Sequence, residues 1–235
     1  MSTYAIGDLH LSFNKNKPMR IFGANWEEHE EKIKKNWQEK VKENDCVILL
    51  GDFSWATYLE EAYEDFKYLN ELPGNKILLK GNHDYWWTTV TNMKEYLKEN
   101  NFNTINFLHN NSYLIENKVI VGTRGWNLLE TENSEKMINR ENNRLKLSIE
   151  DGINRYGKDK EIIAFMHYPP ITLNNINSEL VKTLQKYNIK KCYYAHLHGN
   201  SHKDAVEGEK NGIKFKLISA DYLEFNLFKI WLLQK

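Results

Sequence analysis

Short apolar runs rich in β-branched residues alternate along the chain with longer stretches whose apolar positions recur every three or four residues. The short runs predict buried strands at 3–6, 46–50, 76–79, 104–107, 113–115, 118–121, 161–166, 191–194, 214–219 and 225–232. The periodic stretches predict amphipathic helices at 26–42, 59–71, 90–100, 134–155 and 178–187. Trp26, Ile33, Trp37 and Val41 form the apolar stripe of the first helix; Leu180, Val181, Leu184 and Tyr187 form that of the last. The Lys and Glu residues between them make a solvated face. Strand-then-helix alternation implies crossover connections and largely parallel strands. Two stretches break the rule. Residues 103–121 hold three short runs with no helix between them, and 214–232 looks similar, so both read as hairpins or meanders. The prediction is a mixed α/β protein with two sheets.

Composition narrows the class. A chain of 235 residues suits one large domain, 1–235, and no linker, repeat or low-complexity tract divides it. Hydrophobic residues make up 41% and charged residues 27%, an ordinary globular balance. Mean hydropathy is -0.68, and no apolar run is long enough to span a membrane. Lys+Arg and Asp+Glu are both 32, which argues against a dedicated nucleic-acid or anionic-membrane surface. Two cysteines, Cys46 and Cys192, lie in apolar runs and read as core residues, not as a disulfide scaffold or a thiolate metal site. The first residues lead straight into Gly7-Asp8-Leu9-His10 with no apolar leader, so a cytoplasmic protein is expected.

The candidate chemistry lies where the apolar runs end. Tyr4-Ala5-Ile6 is followed by Gly7-Asp8-Leu9-His10, and Val47-Ile48-Leu49-Leu50 by Gly51-Asp52. Ile77-Leu78-Leu79-Lys80 is followed by Gly81-Asn82-His83-Asp84. Phe165-Met166 precedes His167, and Tyr194-Ala195 precedes His196-Leu197-His198. Ligand sites of α/β sheets gather at the carboxyl ends of strands, so five strands would deliver these groups to one edge. Each piece alone has a bland reading: a lone histidine after a strand is usually a satisfied loop or core residue. Five in one context are not bland. Asp8, His10, Asp52, Asn82, His167, His196 and His198 offer carboxylate, imidazole and amide donors without thiolate, a set suited to Mn, Fe, Zn, Co or Ni. Seven donors exceed the need of one ion and suffice for two if one carboxylate bridges, the usual device for displacement at phosphorus.

In that order and spacing, these motifs resemble those of the calcineurin-like metallophosphoesterases, and the Gly-Asn-His-Asp block is their most specific part. The resemblance spans residues 8 to 198. It implies a four-layer α/β/β/α sandwich of two mixed sheets flanked by helices. It implies a dinuclear phosphohydrolase acting on a phosphomonoester or phosphodiester, with two divalent ions, manganese serving in vitro. It assigns Asp8, His10 and His198 to one ion, Asn82, His167 and His196 to the other, and Asp52 to both, with a bridging hydroxide as nucleophile. His83 would assist the leaving oxygen, and Asp84 would hold the His83 ring. One position departs from the pattern: Ala195 stands where the family usually has glycine, and would be strained if that position needs positive φ.

Other residues bear on the substrate. Arg124, at a strand end between turn glycines, could grip phosphate bidentately; its bland reading is a surface arginine. Tyr85, Trp86 and Trp87 follow Asp84, and Trp86 is the one expected to line a pocket and stack on a ring. The expected partner is a small phosphorylated molecule, with a nucleotide among the candidates. A nuclease fits less well, because net charge is zero. A non-catalytic scaffold of the same fold would be expected to lose donors or the His83–Asp84 pair, and none is missing; a metal-binding protein would keep the donors without needing His83.

Overall fold

The central strands are buried on both faces, which calls for a packed layer on each side. A computed structural model describes residues 1–14, 17–127 and 134–230. The first half forms β1 (Thr3–Ile6), α1 (His29–Lys40), β2 (Cys46–Leu49), α2 (Tyr63–Glu71), β3 (Asn75–Leu78), α3 (Val90–Glu99) and β4 (Ile105–Phe107). The second forms β5 (Tyr113–Ile115), β6 (Lys118–Thr123), α4 (Ser134–Tyr156), β7 (Glu161–Met166), α5 (Ser178–Lys186), β8 (Lys191–Tyr194), β9 (Gly208–Lys210), β10 (Ile213–Leu217) and β11 (Phe228–Lys229).

Two mixed sheets result. One has the order β11-β1-β2-β3-β4, parallel except for β11; the other has β5-β6-β7-β8-β10-β9, antiparallel only at β5 and β9. Alternate residues of each strand point to opposite cores. Ala5, Ile48, Leu50 and Ile77 of the first sheet meet Ile120, Ile163 and Phe165 of the second in a central apolar layer. The other face of the first sheet, with Ile6, Val47 and Leu78, packs on Ile33 and Trp37 of α1, Phe66 of α2 and Met93 of α3. The other face of the second, with Val121, Ala164 and Cys192, packs on Leu145 and Ile149 of α4 and Leu184 of α5. This is the expected α/β/β/α sandwich. Local signals agree with it: Thr89 and Asn177 cap α3 and α5, their side chains accepting from Asn92 N and Leu180 N, both at 3.2 Å.

Four expectations about elements are corrected. Residues 103–121 and 214–232 are not single hairpins or meanders: β4 pairs with β3 in the first sheet while β5 and β6 pair in the second, and β10 and β11 lie in different sheets. The helix expected over 26–42 begins at His29, because Glu28 takes left-handed backbone at φ 50 and Ala24–Trp26 forms a separate 3-10 turn. The strand expected over 225–232 is two residues long, since Glu224 and Phe225 are both left-handed; Trp231 and Leu232 lie outside the described residues. A further strand, β9, returns on β10 through Asn211 and Gly212, both at positive φ. That Asn-Gly pair is a hairpin signal the sequence did carry.

Candidate metal centre

The five predicted strand ends do converge. Asp8, His10 and His198 place one donor atom each within 4.8 Å of one another, and so do Asp52, His167 and His196. Asp8 and Asp52 come from the first sheet, the histidines at 167, 196 and 198 from the second. Asn82 joins the second group, with Oδ1 2.6 Å from His167 Nε2.

The backbone that delivers these groups is bent in an uncommon way. Asp8, His10, Asp52 and His196 all have positive φ, between 48 and 74. Each turns a side chain sharply out of a strand end, a conformation that costs about 1–3 kcal/mol and persists where surroundings enforce it. The enforcement is visible: Asp8 N donates to Gly51 O, His10 N to Asp52 O, and His196 N to Asp8 Oδ2. Close approach requires glycine beside them, since a Cβ on Gly81 would lie 2.1 Å from Asp52 Oδ1. Ala195 carries no strain of its own, because the positive φ falls on His196. Its methyl is accommodated because position 7 is glycine; a Cβ there would lie 2.4 Å from Ala195 Cβ.

The polar atoms at the centre face one another without satisfying one another. Asp8 Oδ1, Asp52 Oδ2 and His198 Nε2 are buried with no hydrogen-bond partner among the described residues. His198 Nε2 is 3.5 Å from Asp8 Oδ1, and Asp52 Oδ2 is 3.5 Å from His167 Nε2 and 3.8 Å from His10 Nε2. His167 Nδ1 lies 2.8 Å from the Leu50 carbonyl, which requires the proton on Nδ1. Its Nε2 lone pair therefore points at two oxygen acceptors, Asn82 Oδ1 and Asp52 Oδ2. Acceptors aimed at acceptors are costly unless a cation sits between them, so the donor set fits divalent metal.

Electrostatics agree. Burial raises the Asp52 carboxyl well above the usual range, and neighbouring Asp84 and Asp8 push it the same way. Burial also opposes ionisation of Asp8, but His198, His167 and His10 outweigh it and hold its carboxyl well below that range. Burial lowers His83 to about 4, with His167 and Lys17 adding to it.

The His83–Asp84 pairing is corrected. Asp84 is fully enclosed and accepts from Asp52 N, Phe53 N, Ser54 N, Gly81 N and Trp86 Nε1, at 2.7 to 3.3 Å, and it makes no bond to the His83 ring. It ties the β2 and β3 loops together. His83 N donates to Asp52 Oδ1 at 2.8 Å, and its ring lies 4.4 Å from Trp55, with Nδ1 free of partners among the described residues.

Trp86 is also corrected. It is 2% exposed and packs edge-on against Phe53 and Phe66 in the core, its indole N–H spent on Asp84. Tyr85, 63% exposed, is the residue of that trio at the open cleft. Arg124 does not line the cleft over the donors either: it lies 3.7 Å from Glu141, a fully buried carboxylate of α4 that Thr123, Arg140 and Arg144 also contact, and it lines a separate crevice. The loop after it, 128–133, lies outside the described residues.

One residue escaped the sequence reading. Asp221 Oδ1 is 2.8 Å from His198 Nδ1, and Asp221 Oδ2 accepts from Gly199 N and sits 3.2 Å from His202 Nε2. Fixing the Nδ1 proton leaves His198 Nε2 free to face Asp8. The signal was present: Asp221 follows the apolar run 217–220, as the other donors follow theirs. Asp221→Ala is expected to weaken cation binding by about 10–100-fold, measured by calorimetry on metal-stripped protein. An unchanged affinity would make Asp221 a packing residue only.

The family model for calcineurin-like phosphoesterase matches residues 1–200. A curated relative, the gene 66 protein of Mycobacterium phage L5, is 30% identical over 83 residues, covering 35% of this chain and 40% of that protein. The chain thus matches less than half the length of that relative. Among solved structures, a protein of unknown function from Aquifex aeolicus shares 20% identity at a TM-score of 0.55, covering 97% of this chain and 94% of that one. The phosphopantetheinyl hydrolase of Mycobacterium tuberculosis shares 14% at 0.56, covering 98% and 96%. At such identities both show the fold.

Proposed function

The chain belongs to the calcineurin-like phosphoesterase family, and we propose that it is a single-domain, dinuclear metal-dependent phosphohydrolase acting on a small phosphate ester. The observation that carries this is the inward-facing set of buried polar atoms with no hydrogen-bond partner among the described residues, Asp8 Oδ1, Asp52 Oδ2 and His198 Nε2, beside the His167 Nε2 lone pair. In this reading Asp8, His10 and His198 hold one cation, Asn82, His167 and His196 the other, and Asp52 both. Manganese, iron, zinc, cobalt and nickel suit the donors, manganese being the ion of choice in vitro. Bound cations supply Lewis acidity and charge neutralisation at the phosphoryl group.

The chain's own residues do the rest. His83 stands above the donors on a backbone tied to Asp52. Its low pKa makes it neutral at pH 7, so it serves as an N–H donor to the leaving oxygen without adding net charge. Asp221 and the Leu50 carbonyl hold the proton of each partner imidazole on Nδ1. Trp55, stacked 4.8 Å from the His10 ring, fixes that ring and shields it from water. A scaffold role is disfavoured by the complete donor set. Among the described residues no helix is long and apolar enough to cross a membrane. Cys46 and Cys192 are buried free thiols, which suits the proposed cytoplasmic setting.

The test is hydrolysis of p-nitrophenyl phosphate and bis-p-nitrophenyl phosphate by chelator-stripped protein with and without Mn²⁺. Turnover absent after stripping and restored by the ion is the expected result; the preferred reagent separates monoesterase from diesterase. Turnover untouched by complete removal of metal would overturn the reading.

A further inference from the structure

The cavity over the donor set is larger and more apolar than a phosphate needs. It measures about 570 Å³, with His10, His83 and His198 at its polar end. Such a volume holds a small molecule with one buried polar anchor and an apolar body. Its outer wall is aromatic: Phe22, Trp55 and Tyr85. Phe22 and Tyr85 are 56% and 63% exposed, so large ring faces stand open to water beside the polar centre. Phe22 and Trp55 are close to parallel, 6° apart with centroids at 6.5 Å. Trp55 is held rigidly, stacked on His10 with its indole N–H on Met19 Sδ at 3.1 Å. Lys17 places its ammonium 3.0 Å from the Trp55 ring centroid and is the one cationic Lys or Arg lining the cleft among the described residues.

This arrangement offers a phosphate site at depth and flat π surfaces one step outward. An aliphatic ester, such as a glycerol or sugar phosphate, would leave those rings wet. A long nucleic acid would call for a track of cations, and the cleft has Lys17. We propose, on the basis of the hydrolase reading above, that the substrate is a phosphate ester whose esterified group carries a planar aromatic or heteroaromatic ring, with Phe22 and Tyr85 as the specificity-determining residues. Trp55, with His10 against one side and the Lys17 ammonium 3.0 Å from its ring centroid, is the fixed floor behind them, so the open ring faces are those of Phe22 and Tyr85. Aromatic pairs are worth about 0.5–1.5 kcal/mol beyond area burial, enough for roughly 3–10-fold discrimination per ring.

Binding of phenylphosphonate and propylphosphonate to Mn²⁺-loaded protein tests this by calorimetry, because phosphonates are not hydrolysed. The wild type is expected to bind the phenyl compound at least about fivefold more tightly. Phe22→Ala and Tyr85→Ala, both at exposed positions, should bring that ratio toward one while propylphosphonate affinity stays within about twofold. Equal affinities in the wild type, a preference that survives both variants, or failure to bind either phosphonate would each overturn the inference. Ring preference in a protein that hydrolyses no ester would remove the hydrolase reading alone; metal-restored turnover without ring preference would remove this inference alone.

Discussion

Asp84→Ala unfolds the protein at temperatures the wild type tolerates, even with no metal bound. That is the outcome expected from a buried carboxylate that accepts from Asp52 N, Phe53 N, Ser54 N, Gly81 N and Trp86 Nε1. Each buried donor left without an acceptor costs about 1–3 kcal/mol, so a loss of at least ~4 kcal/mol is expected even after partial relaxation. Asp84→Asn should fall between. Its amide oxygen can replace Oδ1, but its NH₂ would confront the N–H groups of Gly81 and Asp52 that Oδ2 now serves. Urea unfolding of the stripped proteins measures both. A role in holding the His83 ring predicts the opposite pattern: normal stability, with turnover and its pH profile changed. Wild-type stability in Asp84→Ala would restore that reading.

Asp52→Asn tests the other extreme, a residue whose charge harms the empty fold. Asp52 is buried beside Asp8 and Asp84, and its Oδ2 has no partner. Because its folded carboxyl titrates well above the usual value, the unfolded chain releases that proton first. The metal-free protein therefore loses stability as pH rises from the ordinary carboxylate range through the raised value. Asparagine removes the charge and keeps Oδ1 for His83 N, the bond at 2.8 Å. The stripped variant should melt at or above the wild-type temperature at pH 7. Added Mn²⁺ should stabilise the wild type strongly and the variant little, since binding to the folded state alone raises stability by mass action. Turnover should fall by more than the roughly 10–100-fold typical of residues behind the donors. A variant that still gains stability from Mn²⁺ like the wild type would show that Asp52 does not hold the ions.

These two carboxylates also mark what could be read from the chain and what could not. The strand ends were legible, because an apolar run followed by Gly-Asp or His fixes both a buried strand and the group leaving it. The four layers were implied by the family resemblance, while the apolar runs by themselves predicted two sheets with helices and not how they stack. What was not legible is where a side chain points after a left-handed turn. Asp84 and Asp52 look alike as sequence, yet one points down into five N–H groups and the other up to the donors. Tyr85 and Trp86 are neighbours, and a single turn sends Tyr85 to the cleft and Trp86 to the core. Arg124 was plausible at a strand end until Glu141, a distant residue of α4, claimed it. Such choices are made by tertiary contacts that no local spacing encodes.

The donor set also has an order in time. Asp8, His10, Asp52 and Asn82 leave the ribosome first, and His167, His196 and His198 follow far behind. At about 5–20 residues per second, roughly 10–40 s separate the first donor from the last. During that interval a nascent chain offers a cation only half a site, carboxylate-rich and without the imidazoles of the second sheet. Stable loading of either position must wait until β7 and β8 have been made and have docked. In the proposed reading, loading of both positions is therefore complete only after the second sheet has been made.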